Sequence, residues 1–192
     1  MGQDKTALLV LDVQNGIISN LGDKASEYIK RVQTAVDAAH AANLPVFFIV
    51  VRFRKGYPEV NPNNKMFAAI RERNRQSPMD ETSSSTQPVI TPGENDLVIA
   101  KKRVSAFAGS DLEMILRAQS INHLVICGVA TGRVVLHTLC QATDNDYTVT
   151  VLADGCADHD DEIHQFLLEK VFPREAEVTT IEKWAQSLAA HS

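Results

Sequence analysis

The sequence predicts an α/β protein with three layers, α/β/α, built on a mostly parallel six-stranded sheet of the Rossmann or flavodoxin-like type. Short runs rich in Val, Ile and Leu recur along the chain, as expected of strands buried on both faces. Amphipathic helical patterns separate these runs, and strands that alternate with helices form parallel sheets. The six predicted strands are residues 7–11, 46–51, 97–100, 124–127, 149–152 and 177–180.

Apolar residues at helical spacing support the intervening helices. The helix before the second strand is indicated by Ile29, Val32, Val36 and Ala39. A later helix spans residues 163–171 and is predicted to end at Pro173, because proline interrupts a helix. The last helix, residues 181–190, is expected to cover the end of the sheet.

Residues 52–95 depart from this alternation. They hold five of the seven prolines, a Ser/Thr run at 82–86 and at most one short helix, near residues 66–75. A connection this long inside a compact domain is typical of a lid, a binding loop or an oligomer contact. Apolar side chains such as Tyr57 and Phe67 need a partner to bury them, which argues against a loose surface insertion.

Composition places the chain among ordinary globular proteins. Its 192 residues, 44% hydrophobic and 22% charged, predict one domain over residues 1–192. The net charge of -5 comes with interspersed signs and short basic patches, so no nucleic-acid partner is expected. The first apolar run is interrupted by Asp12 and is too short for a membrane span, so no membrane is expected.

Cysteine and histidine usage predicts neither disulfides nor metal. Three cysteines without CxxC or Cys/His ligand spacing suit a reducing compartment, and a cytoplasmic location is expected. The six histidines show no HxH or HExxH pattern. We therefore expect no metal and no other cofactor.

Polar residues at the ends of the predicted strands are the first candidates for a site, because ligands of parallel sheets bind beyond the carboxyl ends of the strands. Asp12 follows the first strand, with Gln14 behind it, and Lys101 follows the third. If the first and third strands are neighbours, as in a flavodoxin-like order, Asp12 and Lys101 can meet. Taken separately, each residue also suits a structural role, as a turn aspartate or a surface lysine.

The fourth strand leads into a second candidate region. Thr131 is predicted to cap a helix whose first-turn amides can donate to a developing negative charge. An oxyanion-type pocket is therefore expected there. Arg133, in the same turn, can orient an anionic group or point to solvent.

Three ordered motifs together resemble the isochorismatase-like hydrolase superfamily, which includes isochorismatases, nicotinamidases and other cysteine amidohydrolases. The first is a strand ending in Asp-x-Gln-Asn, at Asp12, and the second is a strand ending in Lys101 followed by Ser-Ala-Phe at residues 105–107. The third is a strand ending in Gly-Val-x-Thr, at residues 128–131. Three motifs on the correct elements form a specific signal that spans nearly the whole chain.

The resemblance implies roles for individual residues. Asp12 would be the acid/base and Lys101 its charged partner, and the peptide bond between Val129 and Ala130 would be cis. The residues expected to contact a small-molecule substrate are Gln14, Phe107, Ala130, Thr131, Arg133 and Val134. Members of the superfamily are commonly homodimers or larger, so we expect a homo-oligomer whose subunits meet at residues 52–95.

The chain lacks the nucleophile of the cysteine-dependent members, because that position holds Val134. Amide hydrolysis through a thioester requires a thiolate. Cys140 lies six residues further, about 240° around the helix, and should face elsewhere. Cys127 is expected to pack within a strand. Cys156 is then the remaining candidate for a relocated nucleophilic thiol. The Asp-x-His metal pair of nicotinamidases is also absent after the second strand.

Isochorismatases of siderophore-type pathways also dispense with the cysteine, so a thiol-free site suggests vinyl ether hydrolysis that releases pyruvate. Asp12 would then donate a proton, although burial and Lys101 have opposite effects on its pKa. A carboxylated substrate would be attracted by the basic residues Arg52, Arg54, Lys55 and Lys65. Val134 is bulkier than the residue expected of true isochorismatases. Two alternatives remain: a non-catalytic small-molecule-binding protein on this fold, and an amide hydrolase with a relocated thiol.

Overall fold

Six parallel strands form one sheet in the computed structural model, which describes residues 5–75 and 78–190. The strands are β1 (Thr6–Leu11), β2 (Val46–Val51), β3 (Leu97–Lys101), β4 (His123–Val129), β5 (Thr148–Ala157) and β6 (Glu177–Thr179). They lie in the order β3-β2-β1-β4-β5-β6. The six predicted strands are all present, and the order reverses between β1 and β4, as in a Rossmann-type sheet.

The position of β3 corrects two expectations. β1 pairs with β2 and β4, and β3 pairs with β2 alone, so β1 and β3 are not neighbours. β3 is therefore an edge strand rather than one buried on both faces. Leu97 and Val98 at its start are 37% and 40% exposed, and within the described residues no strand pairs with the outer side of β3.

Seven α-helices connect the strands within the described residues: α1 (Asn15–Ile18), α2 (Ala25–Ala41), α3 (Lys65–Arg73), α4 (Leu112–Ala118), α5 (Leu136–Asp144), α6 (Asp161–Phe166) and α7 (Ile181–Ala189). α6 continues through a π-helical turn, Leu167–Val171, and a 3₁₀ turn, Phe172–Arg174, in which Pro173 ends the helical run as predicted. None of the described helices is long and apolar enough to span a membrane.

Alternate strand residues supply two apolar cores, one on each face of the sheet. Leu9 and Leu11 of β1 pack in a core with Leu116 of α4 and Leu139 of α5. Leu8 and Val10 pack on the opposite face in a core formed with α2 and α7. The two faces confirm the three-layer prediction. They also place α7 beside α2 on one face of the sheet.

The segment from 52 to 95 folds around a third apolar cluster at the carboxyl end of β2. Its buried members are Val51, Phe53, Tyr57, Val60, Phe67 and Met79. The amide of Met79 donates to Tyr57 Oη at 2.6 Å, and the amide of Phe53 donates to the Met79 carbonyl at 2.9 Å. The predicted short helix is α3, and the predicted burial of Tyr57 and Phe67 is confirmed.

Candidate active site

A buried ion pair joins the two residues that the strand-end pattern singles out. Lys101 Nζ lies 3.0 Å from Asp12 Oδ2, and their side chains are 2% and 9% exposed. Asp12 follows β1 with φ 57°, and Lys101 ends β3. Since β2 lies between these strands, two strand spacings of about 4.8 Å separate the backbones. The long lysine side chain spans this gap, so the two groups meet without adjacent strands.

The two partners differ in how well their polar atoms are satisfied. Lys101 Nζ also donates to the Arg103 carbonyl at 2.9 Å. The backbone of Asp12 is anchored, because its amide donates to the Ile49 carbonyl at 2.8 Å. Its Oδ1 atom is buried and has no hydrogen-bond partner among the described residues. One carboxyl oxygen of Asp12 is therefore held by lysine, and the other is left without a hydrogen bond from the described part of the chain.

Burial raises the pKa of the Asp12 carboxyl above its ordinary value, while the charge and hydrogen bond of Lys101 oppose that rise. Desolvation is the larger effect, because a carboxylate removed from water loses its hydration. Burial therefore outweighs Lys101 in its effect on the pKa of Asp12, which is the question that the sequence left open. Asp12 binds a proton more readily in this site than an exposed aspartate does.

Gln14 links the ends of β1 and β2. Its side chain is fully buried, and Oε1 accepts from the Val51 amide at 2.8 Å. Nε2 donates to the carbonyls of Val51 and Ser85, each at 3.2 Å. Both polar atoms are therefore bonded to the backbone, which holds the turn that carries Asp12. A substrate could hydrogen-bond to the Gln14 side chain, as predicted, only if these bonds to the backbone were broken.

Gly128 allows β4 to approach β1 beside Asp12. A Cβ atom at this position would lie 2.3 Å from the Leu11 carbonyl oxygen. Glycine is therefore required by the close approach of the two strands at the switch point. The following bond, between Val129 and Ala130, is a cis peptide, which confirms the expectation drawn from the resemblance.

Thr131 is not a helix cap, and this expectation was wrong. Residues Thr131–Val135 form a π-helical turn whose capping residue is Ala130, without a side-chain cap. Thr131 Oγ1 is instead hydrogen-bonded to His164 Nδ1 at 2.8 Å. Burial lowers the pKa of His164, which favours the neutral imidazole in this contact. The Thr131 side chain is fully buried at the end of β4, so its hydroxyl is hydrogen-bonded to α6 rather than to solvent.

The amides of this turn are also largely used within the protein. The Gly132 amide donates to Asp158 Oδ2 at 2.7 Å, and the Arg133 amide donates to the Ala130 carbonyl at 3.0 Å. These two donors therefore do not form the oxyanion pocket predicted from the sequence. A Cβ on Gly132 would lie 2.9 Å from Ile163 Cγ2, so the turn packs closely against α6.

Sequence reasoning did not identify His164 or Asp158 as parts of this region. His164 and Asp158 belong to α6 and the loop before it, which are far from Thr131 along the chain. An isolated histidine or aspartate in an amphipathic helix or loop carries no local signal of such a contact. Only the packing of α6 beside the turn brings these residues to the site.

Phe107 and Val134, which were predicted to contact the substrate, lie in the apolar core on one face of the sheet. Both are buried, 7% and 1% exposed, and both belong to the core that contains Leu11. The Phe107 ring packs against Tyr147 with centroids 5.8 Å apart. The Ala106 amide donates to Thr138 Oγ1 at 3.0 Å, which fixes the Ser-Ala-Phe segment on α5.

The three cysteines are all poorly suited to act as nucleophiles. Burial raises the pKa of Cys156 to about 12 and that of Cys127 well above its ordinary value. Cys127 packs within β4 as predicted, and Cys156 pairs with Gly128 across β4 and β5. Burial also raises the pKa of the half-buried Cys140. These groups are therefore thiols rather than thiolates near neutral pH.

Two of the basic residues proposed to attract a carboxylate already have partners. Arg52 donates to Thr86 Oγ1 at 3.2 Å, and Arg54 forms an ion pair with Glu59 at 2.7 Å. Over residues 5–75 and 78–190, no three His, Cys, Asp or Glu side chains are grouped to hold a metal ion.

The fold and the site define a class of α/β protein in which a buried carboxyl group at the switch point of a parallel sheet is paired with a lysine. Residues 6–183 match the isochorismatase domain. The chain therefore belongs to the isochorismatase family, whose members are hydrolases.

Similar proteins support this membership over the full length. The chain is 27% identical to the isochorismatase family protein YwoC of Bacillus subtilis over 184 residues, which cover 96% of this chain and 94% of YwoC. It is 28% identical to the ureidoacrylate amidohydrolase RutB of Stutzerimonas stutzeri over 214 residues, covering 99% and 85% of the two chains. A cysteine hydrolase structure from Pseudomonas syringae pv. phaseolicola has the same fold, with a TM-score of 0.88 at 18% identity and coverage of 98% and 94%.

Proposed function

We propose that this chain is a thiol-free hydrolase that cleaves the vinyl ether of a small carboxylated substrate, with Asp12 as the general acid. The observation that carries the proposal is the buried pair of Asp12 and Lys101, in which Asp12 Oδ1 has no partner among the described residues. Isochorismate is the leading candidate substrate, because its hydrolysis needs protonation and water rather than an acyl-enzyme.

The chemistry suits a carboxyl group that can hold and release a proton. Asp12 donates its proton to the terminal vinyl carbon, and the ether oxygen stabilises the resulting oxocarbenium ion. Water adds to the cationic carbon and returns a proton to Asp12. The hemiketal then collapses with cleavage of the C–O bond, which releases pyruvate and the ring alcohol.

Lys101 stabilises the carboxylate that appears when the proton leaves Asp12. Its ammonium lies 3.0 Å from Oδ2 and is buried, so the interaction is weakly screened by solvent. The raised pKa of Asp12 supports the acid role, because a proton is available at higher pH than for an exposed aspartate.

The test measures pyruvate release from isochorismate with a coupled lactate dehydrogenase assay. Wild-type protein is compared with Asp12→Asn, which keeps the shape of the side chain and removes the acid, and folding is matched by circular dichroism. Turnover in the wild type that is lost in Asp12→Asn supports the proposal. A folded wild type that releases no pyruvate contradicts it, and tight isochorismate binding without product then supports the non-catalytic alternative.

Amide hydrolysis is the second candidate, favoured by the likeness to RutB, a ureidoacrylate amidohydrolase. It would require a relocated thiol, and Cys156 is the residue that the sequence left for that role. Against it, Cys156 is 4% exposed and burial raises its pKa to about 12. The thiol-free mechanism therefore fits the site better.

The assembly and location of the protein also remain predictions. We propose one domain over residues 1–192 that forms a homodimer or larger oligomer in the cytoplasm. The three cysteines, which are all free, are consistent with a reducing compartment. Light scattering coupled to size-exclusion chromatography tests the oligomer, and a monomeric mass contradicts it.

A further inference from the structure

Arg133 connects the turn after β4 to α3. Its Nη1 lies 3.1 Å from the sulfur of Met66. Met66 packs against the third apolar cluster, which contains Val51 at the end of β2, as does Val104 after β3. Arg133 follows β4, and β1 lies between β2 and β4 in the sheet. Asp12 stands at the carboxyl end of β1, so the contact between Arg133 and Met66 lies at the same edge of the sheet as Asp12.

Two arginines hold α3 in different ways. On the β3 side, the Arg103 guanidinium lies 5.6 Å from the centroid of the Phe67 ring and donates to the carbonyls of Lys102 and Glu59 at 2.7 and 2.9 Å. On the β4 side, Arg133 is exposed, and within residues 5–75 and 78–190 its side chain hydrogen-bonds to the Met66 sulfur alone. A thioether is a weak acceptor and leaves the charge of a guanidinium uncompensated.

We propose that Arg133 determines the substrate specificity of this site by binding the carboxylate of a small anionic substrate in place of the Met66 sulfur. A guanidinium offers paired N–H donors whose geometry matches a carboxylate. Within the described residues, Arg133 forms no ion pair with a carboxylate. The inference rests on the proposed function for the position of the reacting bond at Asp12.

Other cations near the site are less available to a substrate. Lys101 is buried and bonded to both Asp12 and the Arg103 carbonyl. Arg52 is bonded to Thr86, and Arg54 is paired with Glu59. Arg133 combines exposure, a position at the sheet edge that carries Asp12, and a weakly held guanidinium.

The test compares the binding of benzoate and benzamide, which share a ring and differ in charge, by isothermal titration. We expect wild-type protein to bind benzoate about tenfold more tightly than benzamide. Arg133→Gln removes this preference, and Arg133→Lys retains part of it. Arg117→Gln serves as the control, because it removes a positive charge from an exposed site on α4 and leaves the preference intact.

A wild type that does not bind benzoate more tightly than benzamide overturns the inference, as does a preference that survives in Arg133→Gln. Neither result depends on turnover. If isochorismate is hydrolysed, Arg133→Gln should raise KM about tenfold and change kcat much less. An unchanged KM overturns the inference and leaves the proposed function standing. If the protein prefers benzoate in an Arg133-dependent way but releases no pyruvate, the proposed function is contradicted and the inference about Arg133 stands.

Discussion

Lys101 reaches from the edge strand β3 past β2 to place its ammonium 3.0 Å from Asp12 Oδ2. The pair is buried, and the second oxygen of Asp12 accepts no hydrogen bond from the described residues. The aspartate is thus held in place by one charge and remains able to exchange a proton.

Lys101→Met should destabilise the protein by leaving the Asp12 carboxylate buried without its counter-charge. Removing one partner of a buried ion pair costs about 3 to 5 kcal/mol of unfolding free energy. Urea denaturation at pH 8 measures the loss. The double variant with Asp12→Asn is the control and should recover much of it, because no buried charge remains. Equal losses in the single and double variants would contradict this account.

The stability contributed by Asp12 should decrease as pH rises. Burial raises its folded pKa above the ordinary value of 3.8, so the folded state binds the proton more tightly than the unfolded state. This contribution is complete below pH 3.8 and is lost as pH rises through the folded pKa. The unfolding free energy of the wild type, relative to Asp12→Asn, is therefore expected to fall between acidic and neutral pH. A difference that rises with pH would show that Lys101 outweighs burial.

Gln14→Ala should destabilise the protein without any direct role in chemistry. The change leaves the buried Val51 amide without an acceptor and removes donors to two carbonyls. The expected cost is about 2 to 4 kcal/mol. Asn15→Ala is the matched control, because exposed Asn15 donates one bond to the same loop, at Ser84, and should cost less than about 1 kcal/mol. Similar losses for both variants would refute a positioning role for Gln14.

Gly128→Ala should disturb the junction of β1 and β4. The added Cβ would lie 2.3 Å from the Leu11 carbonyl oxygen, so the strands must separate beside Asp12. We expect a loss of about 3 kcal/mol or more in thermal or urea unfolding. Gly93→Ala, for which the nearest atom is an Asp96 carboxylate oxygen at 3.3 Å, should cost less than about 1 kcal/mol. A mild effect at Gly128 would mean that the two strands adjust freely.

Cys156→Ala should leave pyruvate release unchanged. With a pKa of about 12, roughly 10⁻⁴ of this thiol is ionised at pH 8. Iodoacetamide should therefore spare Cys156 in the folded protein and modify it after denaturation, as measured by mass spectrometry. Loss of activity in a folded Cys156→Ala variant, or rapid alkylation of Cys156 in the native protein, would favour the relocated-thiol mechanism.

The local sequence determined much of this protein. Runs of β-branched residues and helical spacing predicted all six strands, α2, α3 and the stop at Pro173, because these patterns depend on neighbours a few residues apart. The rule that sites lie beyond the carboxyl ends of parallel strands was enough to select Asp12 and Lys101. The motif resemblance added the cis peptide before Ala130.

Tertiary structure alone decided the strand order, and with it the way in which Lys101 reaches Asp12 past β2. It also decided that Thr131 bonds to His164 rather than capping a helix, and that Arg133 contacts Met66. These contacts join residues that are distant along the chain, so no local pattern specifies them. The direction of the Asp12 pKa shift has the same origin, because desolvation depends on which segments of the folded chain exclude water from the carboxyl group.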